Sequence, residues 1–174
     1  MSNCSLVRVY AALGSNMGDR WDALRRARNW LSRIAVGEGL EVSPVYETLP
    51  VGPGPQECYL NQVVRFETTL GSDALLLFFK EVECWLGRRV RPRFHSREID
   101  IDVLFYGEEA IVTPDLVVPH QRWAERSFVM VPLLDLAPDF CCPLSGVPAR
   151  DLLVENCPAW ESEVWCFQPD AVLA

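Results

Sequence analysis

The segment EIDIDVLFYG, residues 98–107, decides the fold, because its alternation of apolar and acidic residues is that of a half-buried β-strand. Ile99 and Ile101 point to one face, and Asp100 and Asp102 point to the other. At two residues of strand rise, the two aspartates lie roughly 7 Å apart on one surface. The sequence therefore predicts a strand that covers a hydrophobic core and displays a pair of carboxylates.

The segments before this strand alternate between strand and helix patterns. Residues 58–70 have a strand pattern that places Tyr59 and Asn61 on the same face. A helix follows, for which Ser72 is the expected N-cap and Gly87 the expected end. The second half of a β-α-β-β-α-β order is therefore present.

The amino-terminal part supplies the other half. Residues 6–13 alternate as a strand, an amphipathic helix includes Trp21 and ends near Gly37, and residues 40–48 are predicted to form the second strand. This order predicts an α+β fold, a ferredoxin-like β-α-β-β-α-β plait with a mostly antiparallel sheet and both helices on one face. A short C-terminal extension follows, with a short helix within residues 121–134 and tryptophans expected to pack back on the domain.

Length and composition predict a single domain over residues 1–174, since 49% of the residues are hydrophobic. No stretch approaches the roughly 20 apolar residues of a membrane-spanning helix, and the amino terminus lacks the pattern of a signal peptide. We expect a cytoplasmic protein without a membrane partner, either a monomer or a weak homodimer. The cysteine count is odd and there is no C-x-x-C pair, so reduced thiols are expected rather than disulfides or zinc.

Charge is unevenly distributed along the chain. The net charge of −8 repels a polyanion and argues against nucleic acid as a partner. Positive charge is concentrated in the arginine segment, residues 88–97, which contains five arginines and no acidic residue. A small, concentrated anion fits this pattern better than a long one.

The arginine segment and the aspartate pair, Asp100 and Asp102, together indicate phosphate chemistry. An Asp-x-Asp pair also occurs on solvated strand faces, and a run of arginines also occurs in solvated loops. Side by side, however, they combine guanidinium groups that bind phosphate oxygens with the one or two carboxylates that Mg²⁺ typically takes. The sequence has neither a P-loop nor a dinucleotide-binding motif, so side chains must hold the phosphates.

Three further residues are candidates for ligand binding. Tyr59 and Asn61 suit a flat heteroaromatic ligand, with the tyrosine stacking and the amide contacting ring edges, although ordinary packing at the rim of a strand remains the alternative. His120 has no Ser, Cys or acid at the spacing of a catalytic triad. It either binds phosphate or is a satisfied surface histidine.

Several segments, in order from about residue 8 to residue 153, resemble the 6-hydroxymethyl-7,8-dihydropterin pyrophosphokinase family of folate biosynthesis. Any one of them alone is weak evidence, but their order and spacing are specific. They are ALGSNMGD, SPVYET with LPVG, YLNQVV, LGRRVRPRFHSREIDIDVLFYG and LVVPHQRWAERSFVMVPLLDLAPD.

The resemblance implies transfer of pyrophosphate, as a unit, from MgATP to the hydroxymethyl group of the pterin, with release of AMP and with two Mg²⁺ ions held by Asp100 and Asp102. The catalytic residues it implies are Arg88, Arg97, Asp100 and Asp102. The ATP-binding residues it implies are Glu83, Arg88, Arg93, Arg97, Ile99, His120 and Arg126. The pterin-binding residues it implies are Thr48, Val51, Tyr59, Asn61 and Phe128, with the two aromatic rings on either side of the pterin.

The sequence departs from the family within the arginine segment. Phe94 stands where members usually have a tryptophan that helps close the site, and His95 and Ser96 replace a Gly-Pro pair. Loop closure and product release are therefore expected to differ from those of other members.

Two other functions compete with this interpretation. An Asp-x-Asp sugar-nucleotide transferase would need a larger fold than this length allows and would leave Tyr59 and Asn61 unexplained. A non-catalytic ferredoxin-like module that binds a small ligand or nucleotide would not need the aspartate pair, Arg88 and Arg97 together.

Overall fold

An antiparallel six-stranded sheet forms the centre of the protein, whose computed structural model describes residues 5–50, 55–90 and 95–169. The strands are β1 (Val7–Ser15), β2 (Val36–Val42), β3 (Tyr46–Thr48), β4 (Tyr59–Thr68), β5 (Asp100–Tyr106), β6 (Ile111–Val112), β7 (Val117–Val118) and β8 (Val164–Cys166). The helices are α1 (Arg20–Leu31), α2 (Ser72–Trp85), α3 (Ser127–Leu136), α4 (Ala149–Asn156) and α5 (Trp160–Glu163).

The sheet has the order β5-β1-β4-β3-β8, and β2 also pairs with β4 beside β3. β6 and β7 form a separate two-stranded hairpin between β5 and α3. The order β1-α1-β2/β3-β4-α2-β5 confirms the predicted ferredoxin-like plait. Within the described residues, every helix is too short or too polar to cross a bilayer.

A first hydrophobic core lies between the sheet and the helices α1 and α2. The face of β1 that carries Val9, Ala11 and Leu13 packs against apolar residues of both helices, as the alternation predicted. Ile99 and Ile101 are at most 4% exposed in the same core. The face of β5 opposite to these isoleucines is therefore the one that displays the aspartate pair.

A second core covers the other face of the sheet, which the sequence analysis did not predict. Met130 and Leu133 of α3 and Leu153 of α4 pack there against Phe105 and Val63 of the sheet. α3 is apolar on most of its circumference, and a helix of that kind is stable only when it is buried. The C-terminal extension is thus a second helical layer rather than a short tail.

The extension also adds an edge strand to the sheet. β8 pairs with β3, with Glu47 opposite Trp165. Trp160 packs against the second core as expected, whereas the side chain of Trp165 remains 43% exposed on the edge strand. The expectation that the tryptophans pack back is therefore correct for Trp160 and wrong for Trp165.

Three local predictions were wrong. α1 ends at Leu31, and Gly37 lies inside β2 with a φ of 67°. Ser72 is the first residue of α2 rather than its N-cap, and Gly71 occupies the cap position without a side-chain hydrogen bond. The predicted second strand is two strands, β2 and β3, because Pro44 between them has no N–H for a ladder hydrogen bond.

Candidate active site

The floor of the candidate site is formed by small residues of the central strand β1. Gly14 lies opposite Asn61 of β4 on one side and opposite Asp100 of β5 on the other. Ala12 lies opposite Asp102 in the same way. Since cross-strand partners share a face, these two small residues leave open space between the aspartate pair and Asn61.

Gly14 is needed for this space, and the sequence analysis did not identify it. A Cβ atom added at Gly14 would lie 3.2 Å from the Oδ1 atom of Asn61 and 3.8 Å from the Cδ1 atom of Tyr59. The first distance is shorter than ordinary van der Waals contact, so alanine at this position would require the Asn61 side chain to move by a few tenths of an ångström. The signal that could have revealed Gly14 was its place in the strand-ending motif ALGSNMGD.

Asp100 is held between two arginines. Arg88 donates to its Oδ1 and Arg97 donates to its Oδ2, each at 2.6 Å. Both guanidinium groups are about three quarters buried, and charge-assisted hydrogen bonds at such sites are stronger than those on a surface. The structure thus brings together three of the four residues expected to be catalytic.

Asp102 is the fourth of these residues, and its carboxylate has a different environment. Among the described residues its nearest basic partner is Arg126, whose Nη1 lies 3.9 Å from Oδ2, and its side chain is 40% exposed. Desolvation of the carboxylate, followed by the negative charge of Asp100, raises the pKa of Asp102 to about 6. The positive charge of Arg126 acts in the opposite direction. The fold therefore carries this negative charge at a cost.

Glu83 lies beneath the site rather than in its opening. It is 7% exposed, accepts a hydrogen bond of 2.7 Å from the Ile101 backbone N–H, and forms an ion pair with Arg88. Burial raises the pKa of Glu83 to about 7, with Arg88 acting in the opposite direction. Its contacts connect Arg88 to β5.

Ile99, which was expected to bind ATP, faces the first core and its side chain is fully buried there. Only its backbone can reach a ligand on the opposite face of the sheet. Val51 and Arg93, expected to bind the pterin and ATP respectively, lie outside the described residues, as does Phe94.

The residues expected to bind the pterin lie together at the end of β4. Asn61 is 6% exposed, and its Nδ2 donates to the Oγ1 of Thr48 at 2.7 Å. This hydrogen bond fixes the amide so that Oδ1 lies over Gly14. Tyr59 is half-buried beside them, and burial raises the pKa of its hydroxyl. A planar ligand can meet both an aromatic face and an oriented amide here.

Arg126 and Phe128 lie at the start of α3. The Cζ atom of Arg126 is 5.5 Å from the centre of the Phe128 ring, which is a cation–π geometry. Because Arg126 also faces Asp102, the ring and the aspartate pair border the same cleft.

His120 follows the hairpin and is anchored to β5. Its backbone N–H donates to the carbonyl oxygen of Leu104 at 3.0 Å, and its Nδ1 accepts a hydrogen bond of 3.1 Å from the Arg122 backbone N–H. Burial, followed by the positive charge of Arg126, lowers the pKa of His120 to about 4. The imidazole is neutral at pH 7, and an accepting Nδ1 places its proton on Nε2, where it can be donated to an anion.

Acidification should weaken the fold through His120. Because its folded pKa of about 4 lies below the ordinary value of 6.5, the unfolded chain binds a proton between these values and the folded chain does not. The stability conferred by the neutral ring is complete above pH 6.5 and is lost as the pH falls through the folded pKa.

The control variant is His120→Asn, whose Oδ1 can still accept the Arg122 N–H. Between about pH 7 and about pH 4.5, the free energy of unfolding of the wild type should decrease by up to about 3 kcal/mol more than that of the variant. Urea unfolding of both proteins at the two pH values measures the difference. Equal losses in the two proteins would contradict a neutral, buried imidazole.

The aspartate pair is the candidate metal-binding group. Within residues 5–50, 55–90 and 95–169, no three His, Cys, Asp or Glu side chains are grouped so that they could hold a metal ion. That excludes a cage of protein ligands at the described positions. It fits Mg²⁺, which takes one or two carboxylates and completes its shell with water and phosphate oxygens.

Comparison with known proteins gives the relatives of the chain. Residues 10–138 match the model of the family described as 7,8-dihydro-6-hydroxymethylpterin-pyrophosphokinase (HPPK). The chain is 42% identical over 128 residues to the 2-amino-4-hydroxy-6-hydroxymethyldihydropteridine pyrophosphokinase of Bacillus subtilis, which covers 74% of this chain and 77% of that relative. It is 38% identical over 151 residues to the protein of the same name from Aquifex aeolicus, which covers 87% of this chain and 93% of that relative.

Among solved structures, the fold is similar to that of Plasmodium falciparum HPPK-DHPS wild type with pteroate. The TM-score is 0.68 at 14% sequence identity, and the match covers 91% of this chain and 44% of that chain. At this identity the likeness concerns the fold alone. The present chain spans less than half of that protein.

Proposed function

The chain belongs to the 7,8-dihydro-6-hydroxymethylpterin-pyrophosphokinase family, and from this premise we propose that the cleft over β1, β4 and β5 is its active site. The reaction is pyrophosphoryl transfer in folate biosynthesis, with ATP as co-substrate and the hydroxymethyl group of the dihydropterin as acceptor. One observation carries the assignment of the site. The aspartate pair, flanked by Arg88, Arg97 and Arg126, faces the same open floor as Asn61.

The arginines bind the phosphates of ATP in this proposal. Arg88 and Arg97 already carry oriented N–H groups next to Asp100, and Arg126 lies at the edge of Asp102. A guanidinium group can donate two parallel hydrogen bonds to phosphate oxygens. These arginines need little reorganisation to do so, because salt bridges already orient them. Neutral His120 adds an N–H donor without adding charge.

The pterin occupies the other side of the floor. The Asn61 Oδ1, fixed over Gly14, accepts a hydrogen bond from a ring N–H, and Tyr59 stacks on the ring. Phe128 covers the opposite face of the pterin. Because Gly14 lies directly between Asn61 and Asp100, this placement brings the hydroxymethyl group toward the aspartate pair.

Asp100 and Asp102 would hold the two Mg²⁺ ions that accompany ATP. Bound Mg²⁺ offsets phosphate charge and makes deprotonation of a coordinated hydroxyl less costly. A positive ion beside Asp102 would also relieve the repulsion from Asp100 that raises its pKa. The chain's own contribution is to hold the two substrates in line and to offset charge, and no covalent enzyme intermediate is required.

Asn61→Ala should weaken pterin binding and leave nucleotide binding almost unchanged. The substitution removes the oriented Oδ1 acceptor and leaves Thr48 without the Asn61 donor, whereas the arginines that bind phosphate lie on the far side of Gly14. We expect the dissociation constant of the pterin to rise about 10- to 100-fold, the equivalent of one or two hydrogen bonds. Calorimetric titration with each ligand separately measures the two affinities. An equal loss of both would show that the assignment of Asn61 to the pterin, and not to the nucleotide, is wrong.

Product analysis tests the proposed function directly. Purified protein is incubated with MgATP and 6-hydroxymethyl-7,8-dihydropterin, and the nucleotides are separated by chromatography. AMP that appears in step with a pyrophosphorylated pterin supports the proposal. ADP as the sole nucleotide product would indicate a different phosphoryl transfer, and unchanged ATP would indicate a binding module.

A further inference from the structure

Asn16 is a buried polar residue at the end of β1 for which the catalytic scheme gives no role. Its side chain lies in the ALGSNMGD motif and is 1% exposed. Its Oδ1 accepts a hydrogen bond of 2.7 Å from the Arg97 backbone N–H, and its own backbone N–H donates to the Arg97 carbonyl oxygen at 3.1 Å. Asn16 therefore fixes the backbone of Arg97 from both sides.

The amide nitrogen of the same side chain points to a different segment. Asn16 Nδ2 donates to the Glu57 carbonyl oxygen at 3.3 Å and contacts the Gln56 Oε1 at 3.5 Å. It also donates to the Ser96 Oγ at 3.1 Å. One planar amide thus connects the segment before β4 with the segment before β5.

These two segments lead directly into the two halves of the proposed active site. Residues 55–58 precede Tyr59 and Asn61, which contact the pterin, and residues 95–99 contain Arg97 and precede Asp100. A cavity of about 580 Å³ lies between them, lined in part by Asn16, Gln56 and Ser96. Asn16 links the two segments through its side chain, and they also meet directly where the Ser96 Oγ donates to the Gln56 Oε1 at 3.5 Å.

Asn16 lies between two regular elements, the end of β1 and the start of α1. β1 is paired with β4 as far as Ser15, and Asp19 caps α1 by accepting a hydrogen bond from the Asp22 N–H at 2.9 Å. Arg20, the first residue of α1, donates to the Cys58 carbonyl oxygen at 2.7 Å. Asn16 is therefore held between a strand end and a helix start, while its partners lie in loops.

We propose that Asn16 is a positioning residue that aligns the pterin-binding strand with the phosphate-binding arginine, so that its amide controls the rate of transfer more than the affinity for either substrate. The inference rests on the proposed function. Burial of an asparagine requires that its donors and acceptor find partners, but partners in one loop would satisfy that requirement. The Asn16 amide instead contacts two loops on opposite sides of the site, and such contacts hold the two loops at a fixed distance from each other.

The test is Asn16→Asp, which keeps the size of the side chain and the Oδ1 acceptor for Arg97. It replaces the donor Nδ2 with an oxygen that faces the Glu57 carbonyl oxygen and the Gln56 Oε1, so the direct hydrogen bonds of residue 16 to Gln56 and Glu57 are lost. We expect kcat to fall on the order of 10²-fold, because a misplacement of about 1 Å has that effect on an aligned transfer. The dissociation constants of the pterin and of a non-reactive ATP analogue should each change less than about threefold.

The matched control is Ser15→Ala. Ser15 is also buried at the end of β1, and its Oγ donates to the Glu98 carbonyl oxygen at 2.6 Å, so it contacts only one of the two segments. This variant should lose melting temperature comparably but keep kcat within about threefold of the wild type. If Asn16→Asp does not fold, the double variant Gln56→Ala with Ser96→Ala removes two partners of Nδ2 from outside the core and should lower kcat about tenfold.

Unchanged kcat in Asn16→Asp, or in the double variant if that one is used, would overturn the positioning role. Equal loss of kcat in Ser15→Ala would also overturn it, as would a rise in both dissociation constants that matches the loss of rate. Wild-type protein that forms no AMP would overturn the proposed function and this inference with it. Activity in the wild type with unchanged kcat in the variants would remove the inference alone.

Discussion

Asp102→Asn should abolish AMP formation while leaving the fold at least as stable as that of the wild type. The substitution removes a carboxylate that we propose binds metal and conserves its size. We expect kcat/KM to fall at least about 10³-fold, or about 4 kcal/mol of transition-state stabilisation. The fold should not suffer, because a raised pKa means that the folded state disfavours the charged form of this carboxyl, and asparagine is neutral.

Asp100→Asn is the matched control and should behave differently. Asp100 accepts hydrogen bonds from both Arg88 and Arg97, so its replacement removes a carboxylate from two partly buried guanidinium groups, of which Arg88 keeps its ion pair with Glu83. Both variants should lose activity, but only Asp100→Asn should also have a lower melting temperature. Thermal unfolding and AMP release, measured on the same preparations, separate the two effects. A decrease in melting temperature that is equal in both variants would contradict the assignment of Asp102 to function alone.

This contrast refines what the sequence could indicate about the aspartate pair. Alternation alone predicted that both side chains lie on one polar face and did not distinguish one from the other. In the structure both lie on that face, but Asp100 is held by two short salt bridges, whereas Asp102 lies 3.9 Å from Arg126. The difference depends on Arg88, which lies outside β5 and therefore does not enter the alternation pattern of that strand. Arg88 is oriented by its ion pair with Glu83, a residue of α2.

The fold was predictable where the signal is local. Period-two alternation over residues 98–107 and the apolar spacing in α2 are properties of single segments, and both elements lie where they were expected. The second helical layer was not predictable in this way. α3 is apolar on most sides, so its pattern shows that it is buried but does not show which face of the sheet it covers.

The candidate site shows the same limit. The sequence placed Asn61 and Tyr59 on one face of one strand, and the structure agrees. It could not show that Gly14 provides the open floor beside them, since that depends on the register of β1 with two other strands. The role of Gly14 arises from pairing across the sheet, and the proposed role of Asn16 arises from contacts with two loops that are distant along the chain. A single sequence contains neither kind of information.

Arg97→Ala should have the second largest effect on activity. The side chain donates to Asp100 Oδ2 and is proposed to bind phosphate, so its loss removes both a charge and an orienting contact. We expect kcat/KM to fall about 10²- to 10³-fold, as for removal of one preorganised donor to a developing charge. Arg97→Lys keeps the charge but not the planar set of donors, and it should recover only part of the loss.

Arg97 is a cleaner test of phosphate binding than Arg88. The Arg97 backbone is fixed by Asn16 through hydrogen bonds that do not involve its side chain, and Arg88 still pairs with Asp100, so Arg97→Ala should fold normally. Arg88→Ala would leave the buried carboxylate of Glu83 without its ion-pair partner and should cost about 3 kcal/mol or more of stability. If Arg97→Ala retains more than about a tenth of the wild-type kcat/KM, the arginine serves mainly to hold Asp100, and phosphate binding must rest on Arg88 and Arg126.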